Sequence, residues 1–394
     1  MHKKGSLLKS PLVAAAFLMA TSAIGPGFLT QTAVFTSQLK ASFGFIILFS
    51  ILLDIGAQLN IWRILSVTGM RAQDLANRVF PGAGYLLTAF IVIGGLAFNI
   101  GNLAGAGLGL NVLTGMSPEA GAAISACIAI LVFVWKDALR KLDAFARILG
   151  MVMICLTLYV VFSSNPPVGE AVRKSVWPDT IDLRAVLTLV GGTVGGYISF
   201  AGAHRLLDAG KIGPSFVPEV SRSATMAIIL ASLMRVLLFL AALGVVSRGL
   251  ELATNNPAAS VFQFAAGPLG YRIFGIVMWS AAITSVTGST YTSISFLRTL
   301  HPWLERWQKP MILVFIVLSA CVFILHGQPV QTLVFVGLLN GFTLPFALGI
   351  VLLAAYRRDL VGSYRHPRWI ALFGAMVVLA TLWFGIQTLL QKAG

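Results

Sequence analysis

The chain has 394 residues, of which 57% are hydrophobic and 10% charged, with a formal net charge of +15 and a mean hydropathy of +0.88. A soluble domain carries about 25% charged residues, so the composition excludes one and marks an all-α integral membrane protein without a separate soluble part. Nucleic acid is excluded as the partner of the positive charge, because the basic residues sit in short loops between apolar runs and report orientation.

A spanning helix needs about 20 apolar residues. Such runs are expected at 11–37, 43–67, 83–114, 118–135, 144–163, 185–209, 219–247, 266–297, 311–326, 330–355 and 369–391, eleven in all, the ninth short. Lys3 and Lys4 before the first run imitate a secretory signal, but with ten runs downstream the first reads as a retained helix.

Gly25-Pro26-Gly27 interrupts the first run. The second carries Asp54 and Arg63, nine residues apart and so not neighbours on one helix. Gly105-Ala106-Gly107 lies inside the third span rather than after a strand and is no dinucleotide fingerprint. Arg63 and Arg147 lie near helix ends where they can snorkel. The sixth run contains Gly191-Gly192-Thr193-Val194-Gly195-Gly196-Tyr197, in which two adjacent glycines weaken the helix. Arg235 lies deep in the seventh run, and a pair with Asp54 is an open question. The eighth holds Thr284-Ser285-Val286-Thr287-Gly288-Ser289-Thr290, read as a small-residue packing face or as hydroxyls for an ion. His326 sits in an exposed outer loop. Cys127, Cys155 and Cys321 are far apart in apolar runs, giving neither a disulfide framework nor a zinc spacing. No nucleotide-binding loop or catalytic triad pattern stands out, so the chain is not read as an enzyme.

Alternate loops are basic. One set holds Lys3, Lys4, Lys9, Arg71, Arg78, Lys136, Arg140, Lys141, Arg205, Lys211, Arg298, Arg306, Lys309, Arg357, Arg358, Arg365 and Arg368. The other holds only Lys40, Arg173, Lys174, Arg184, Arg248 and Lys392. The bias predicts a bacterial cytoplasmic (inner) membrane protein with its N-terminus inside and, with eleven spans, its C-terminus outside. Helices 1–5 (about 11–163) and 6–10 (about 185–355) then form halves of opposite orientation, with helix 11 (about 369–391) appended to a single domain. Glycine breaks in the first helix of each half point to inverted repeats around a midplane binding site. The alternative is that these glycines only let helices pack closely.

Five stretches in order resemble the NRAMP family of transporters. They are Gly25-Pro26-Gly27-Phe28-Leu29, Leu110-Asn111-Val112-Leu113-Thr114-Gly115, Arg140-Lys141-Leu142-Asp143-Ala144, Gly191-Gly192-Thr193-Val194 and Leu344-Pro345-Phe346-Ala347-Leu348. The resemblance implies a LeuT-like 5+5 inverted repeat with broken helices 1 and 6 and alternating access. The family's ligands are missing, however. Counted without gaps from Gly25, its D-P-G-N falls on Thr36-Ser37-Gln38-Leu39, so the metal-binding aspartate is Thr36. The M-P-H after its G-A-T-V is Gly195-Gly196-Tyr197, and its acidic D-x-x-E pair is Asn99 and Asn102.

A transition-metal ion in a low-dielectric midplane without carboxylate, imidazole or thioether is poorly held. Hydrated Mg2+ needs fewer direct ligands but still prefers one or two carboxylates. What remains is neutral: Thr30, Gln31, Thr32, Thr36, Ser37 and Gln38 on helix 1, and Gly195, Gly196, Tyr197, Ser199 and His204 on helix 6. With half-helix N-termini that attract anions, this set suits a small carboxylate-bearing organic solute. Each polar residue could instead serve interhelical hydrogen bonding. Coupling to Na+ or H+ is expected through Ser285, Ser289, Asp54, Asn99 or Asn102. No cofactor and no resident metal are expected. The competing expectations are a divalent metal transporter, with Mg2+ ahead of Mn2+, and a non-transporting receptor.

Overall fold

A computed structural model describes residues 11–135 and 138–393. Lys3, Lys4, Lys9 and Lys136 lie outside the described residues, as do the side chains of Arg140, Lys141, Arg147 and Lys392.

The first span is two helices, α1 (Pro11–Ala23) and α2 (Pro26–Leu39), parted where Gly25 adopts an extended backbone and Pro26, which has no N–H to lose, starts a new helix. α3 (Phe43–Thr68) is the second span and stops at Gly69, which is left-handed. The short amphipathic α4 (Ala72–Val79) leads into α5 (Ala83–Thr114), and α6 (Pro118–Val134) starts where the Ser117 hydroxyl accepts from the Ala120 N–H. α7 (Ala138–Ser164) turns by 106° into the surface helix α8 (Val168–Val176).

The sixth span is again two helices, α9 (Leu183–Thr193) and α10 (Ile198–Asp208). α11 (Val217–Val246) and α12 (Pro257–Leu297) follow, the latter kinked at Gly267-Pro268. Beyond them come α13 (Pro302–Arg306) and α14 (Gln308–His326). The tenth span divides into α15 (Pro329–Gly341) and α16 (Thr343–Ala354), and α17 (Arg358–Val361) precedes α18 (Arg368–Ala393).

Each of the eleven expected runs corresponds to helical chain, but that number is not reached by length and apolarity. Among the described residues eight helices are long and apolar enough to cross a membrane, or nine if the bent pair Ile148–Ser164 and Val168–Val176 is one span. Pro118–Val134 is apolar but shorter than a full span. The surface helices α4 and α8 are not expected from the hydrophobic runs, because their apolar residues cover one face only.

The sixth span is wholly buried, whereas α14 and α18 expose most of their length. The broken helix is thus at the centre, wrapped by α1, α3, α12 and α15, and the exposed leucines and isoleucines of the periphery face lipid.

The basic loops meet at one end of the bundle. Asp208 pairs there with Arg71 and, at 3.3 Å, with Arg298; Ser66 donates to the Lys211 carbonyl at 2.9 Å, and Arg357 to the Arg78 carbonyl at 2.7 Å. At the opposite end Arg248 donates to the Ser163 carbonyl at 2.7 Å and Ser42 meets Asp179.

Candidate substrate site at the helix breaks

No side chain caps α2, so the N–H groups of Gly27 and Phe28 lack intrahelical partners and face the break. Three other helices converge on the same point. A Cβ built on Gly25 would lie 3.0 Å from Ser285 Oγ of α12 and 3.7 Å from Asn102 Oδ1 of α5. Tyr197, at the start of α10, has Ser22 of α1 and Asn102 as polar neighbours, and its ring meets Phe98 edge-on at 5.1 Å. All these side chains are buried, and the Ser285 and Tyr197 hydroxyls and Asn102 Nδ2 complete no hydrogen bond. Buried polar groups are nearly always satisfied. A cluster of unsatisfied ones around an uncapped helix start is an arrangement that a ligand can complete.

The second break is held by a third. Gly196 has φ +58°, and its N–H donates to Thr343 Oγ1 at 2.8 Å, where α15 gives way to α16. Its missing side chain leaves room for Asn340, whose Nδ2 donates to the Gly94 carbonyl at 3.1 Å and the Val336 carbonyl at 3.0 Å. Asn340 and Thr343 are absent from the expected site. The signal available was Gly341 four residues before Pro345, a weak breaker pair leading into the Leu344–Leu348 stretch.

Gly195 and Gly196 belong to the neutral set expected to line the substrate site. They admit Asn340 instead, because the breaks of the sixth and tenth spans pack directly on each other. Ser199 turns its hydroxyl into its own break, onto the Val194 carbonyl, while its carbonyl accepts from Trp62 Nε1 at 3.1 Å.

On α2, Gln31 is buried and reaches across to the tenth span, Nε2 donating to the Leu333 carbonyl at 2.9 Å with Oε1 free. Thr30, Thr32 and Thr36 are buried with unpartnered hydroxyls. Ser37 and Gln38 are exposed, and the Ser37 hydroxyl bonds back to the Val34 carbonyl at 2.7 Å. At about 1.5 Å per residue, Thr36–Gln38 sit roughly 15 Å or more from the break. The gap-free count therefore misplaces the D-P-G-N equivalent, since the helix opens at Gly25-Pro26-Gly27-Phe28. The chemical consequence is unchanged, because Gly25 supplies no carboxylate either.

Among the other named residues, Asn99 is tied up, accepting from Ser289 at 2.9 Å and donating to Ser319 at 3.1 Å. His204 lies toward the basic end, with Nδ1 3.0 Å from Ser295 Oγ and Nε2 accepting from the Ala72 N–H at 3.3 Å. Asp54 pairs with Arg235 at 3.0 Å between α3 and α11, both wholly buried. A carboxylate held by a guanidinium is not a free proton carrier. The site thus gathers Asn102, Tyr197 and Ser285 around Gly25 and leaves Ser37, Gln38, Ser289 and Asp54 elsewhere. Among the described residues no group of three or more His, Cys, Asp or Glu could hold a metal ion.

The model of the natural resistance-associated macrophage protein-like family matches residues 16–391. An uncharacterized membrane protein of Bacillus subtilis, YcsG, is 58% identical, with 96% of this chain and 94% of that protein covered. The divalent metal cation transporter MntH of Levilactobacillus brevis is 24% identical, with 96% and 87% covered. Among solved structures, the Eremococcus coleocola manganese transporter superposes with a TM-score of 0.75 at 16% identity, covering 98% of this chain and 88% of that one. MhsT in complex with L-phenylalanine superposes with 0.60 at 16% identity, covering 95% and 98%. The fold is that of the LeuT-like transporters.

Proposed function

From the premise that the chain belongs to the natural resistance-associated macrophage protein-like family and is a multi-pass secondary transporter of its type, we propose that its cargo is a small organic solute carrying a carboxylate. The observation that supports this is the chemistry of the first break: free N–H groups, two hydroxyls and an amide, none of them charged. A carboxylate at a helix N-terminus gains up to about 2 kcal/mol in partly buried geometry. The neutral groups around it would accept and donate without bringing a second negative charge. Alternating access would carry the solute past the breaks, with the basic end in the cytoplasm, the bacterial inner membrane as the site, and Na+ or H+ as coupling ion. Ser285, which is free, is then a better ion-coupling candidate than Ser289, which is engaged.

The second reading is a divalent metal cation, and the comparisons favour it over an organic solute. Relatives named as metal cation transporters and a manganese transporter structure carry that reading. These are at 24% identity or less, and the same fold also holds L-phenylalanine in MhsT. Fold alone therefore does not choose the cargo.

Gly25→Asp separates the two. The glycine backbone is not left-handed, and a Cβ placed there presses on the Ser285 hydroxyl, the far end of a side chain that can shift. If the cargo is a carboxylate, the wild-type chain binds no Mn2+ in calorimetry, and the variant gains Mn2+ binding while losing carboxylate binding. If the cargo is a metal, the wild type already binds Mn2+, and that result overturns the proposal.

A further inference from the structure

A cavity of about 310 Å³ lies beside the first break, with no α10 residue in its lining. Ile24 and Leu29, one residue before Gly25 and three after Pro26, form one wall. Met153 of α7, Met234 of α11 and Val277 of α12 form the others. Its few polar groups come from α12. Ser280 is buried with an unpartnered hydroxyl, and Thr284, next in sequence to Ser285, donates to the Ser280 carbonyl at 2.8 Å.

The cavity and the unsatisfied polar cluster therefore share a boundary: α2 supplies a wall to one and its free N–H groups to the other. Small-molecule sites have this composition, with apolar walls, a few convergent polar groups and volumes from about 300 Å³ upward. A hydrated cation gains nothing from apolar walls of this size. Thioether side chains such as Met153 and Met234 adapt to bodies of different shape.

We propose that this cavity receives the uncharged body of the cargo, so that the transported class is monocarboxylates with a compact aliphatic or cyclic body. The carboxylate lies at the start of α2, and the body projects between α7, α11 and α12. The free Ser280 hydroxyl serves one polar atom on that body. Dicarboxylates are disfavoured, because their second charge would meet apolar walls. This inference rests on the carboxylate reading above.

The test is binding to the purified full chain, with acetate, cyclopentanecarboxylate and succinate as probes, on wild type and on Val277→Phe and Met153→Phe. These variants narrow the cavity from two different helices, α7 and α12. Cyclopentanecarboxylate is expected to bind at least tenfold more tightly than acetate and succinate. Each variant is expected to lose at least tenfold toward cyclopentanecarboxylate and to keep its affinity for acetate. Two variants on separate helices guard against one that fails to fold. Equal binding of all three probes, or variants that leave the ranking intact, overturns the cavity assignment while the carboxylate reading stands. Binding of Mn2+ with none of the three acids overturns both. If the variants displace a co-purified lipid seen by mass spectrometry and leave the acid ranking unchanged, the occupant is an acyl chain and the proposal fails.

Discussion

Two polar clusters lie deep in the spans of this protein, equally buried, one charged and one neutral. Asp54 and Arg235 are charged and paired through one contact, at 3.0 Å, with side chains 0% and 1% exposed, and their remaining polar atoms Asp54 Oδ1 and Arg235 Nε and Nη1 complete no further hydrogen bond. Asn102, Tyr197 and Ser285 are neutral and leave polar atoms unpaired. Charges inside a membrane are expensive and persist when matched. An unsatisfied neutral group costs far less than a stranded charge, so a site that must be empty for part of a transport cycle can be built from hydroxyls and amides. The first cluster is structural by this logic and the second is open for cargo.

The comparison breaks most visibly at the ion pair. Asp54→Ala strands Arg235 and is expected to destabilise the protein by about 3–5 kcal/mol, read as lost thermal stability or lost monodisperse protein. Replacing both residues, Asp54→Leu with Arg235→Met, is expected to restore most of it, because apolar pairs of similar volume substitute well for buried ion pairs. If Asp54→Ala were stable and abolished only proton-driven transport, Asp54 would be a proton carrier.

At the neutral cluster the effect reverses in kind. Ser285→Ala removes a hydroxyl that completes no hydrogen bond, and Tyr197→Phe one whose only polar neighbours are Ser22 and Asn102, so stability is expected to stay within about 0.5 kcal/mol of wild type. Cargo affinity is expected to fall by roughly 1–1.5 kcal/mol each, the value of one hydrogen bond. Thermal unfolding and binding on the same samples check both.

At neutral pH the smallest effect is expected outside the spans, at His366, whose ring nitrogen meets Asn60 Oδ1 at 2.8 Å. Burial, and then the Arg63 charge, push its pKa down to about 4. The folded state thus refuses a proton that an opened loop accepts near pH 6.5. Stability from this contact is full above pH 6.5 and declines as pH falls toward 4. His366→Gln is expected to flatten the pH dependence of unfolding in that window.

The two glycine breaks were legible because a helix break leaves a compositional mark: a residue without Cβ, a residue without N–H. The break at Phe342 was not read, since Gly341 is ordinary in a membrane helix and its effect depends on Asn340 meeting Gly94 and Gly196 from distant chain. Counting along helix 1 put Thr36, Ser37 and Gln38 in the site, because a count carries no knowledge of where the helix opens. Asp54 and Arg235 stood out as deep charges and their pairing was an open question, since 181 residues separate them in the chain; the structure pairs them. The cavity left no mark, as it is made by five helix segments, each apolar for reasons of its own.

The most direct test of the neutral site is thermal unfolding of the purified chain with monocarboxylates, Mg2+ and Mn2+, each with and without Na+. A ligand at about 100 times its Kd stabilises the folded state by about 2.7 kcal/mol. Stabilisation by a monocarboxylate and none by either divalent ion is the expected result. Stabilisation by Mn2+ or Mg2+ alone would contradict it, and would mean that carbonyls, hydroxyls and water suffice to hold a metal at Gly25.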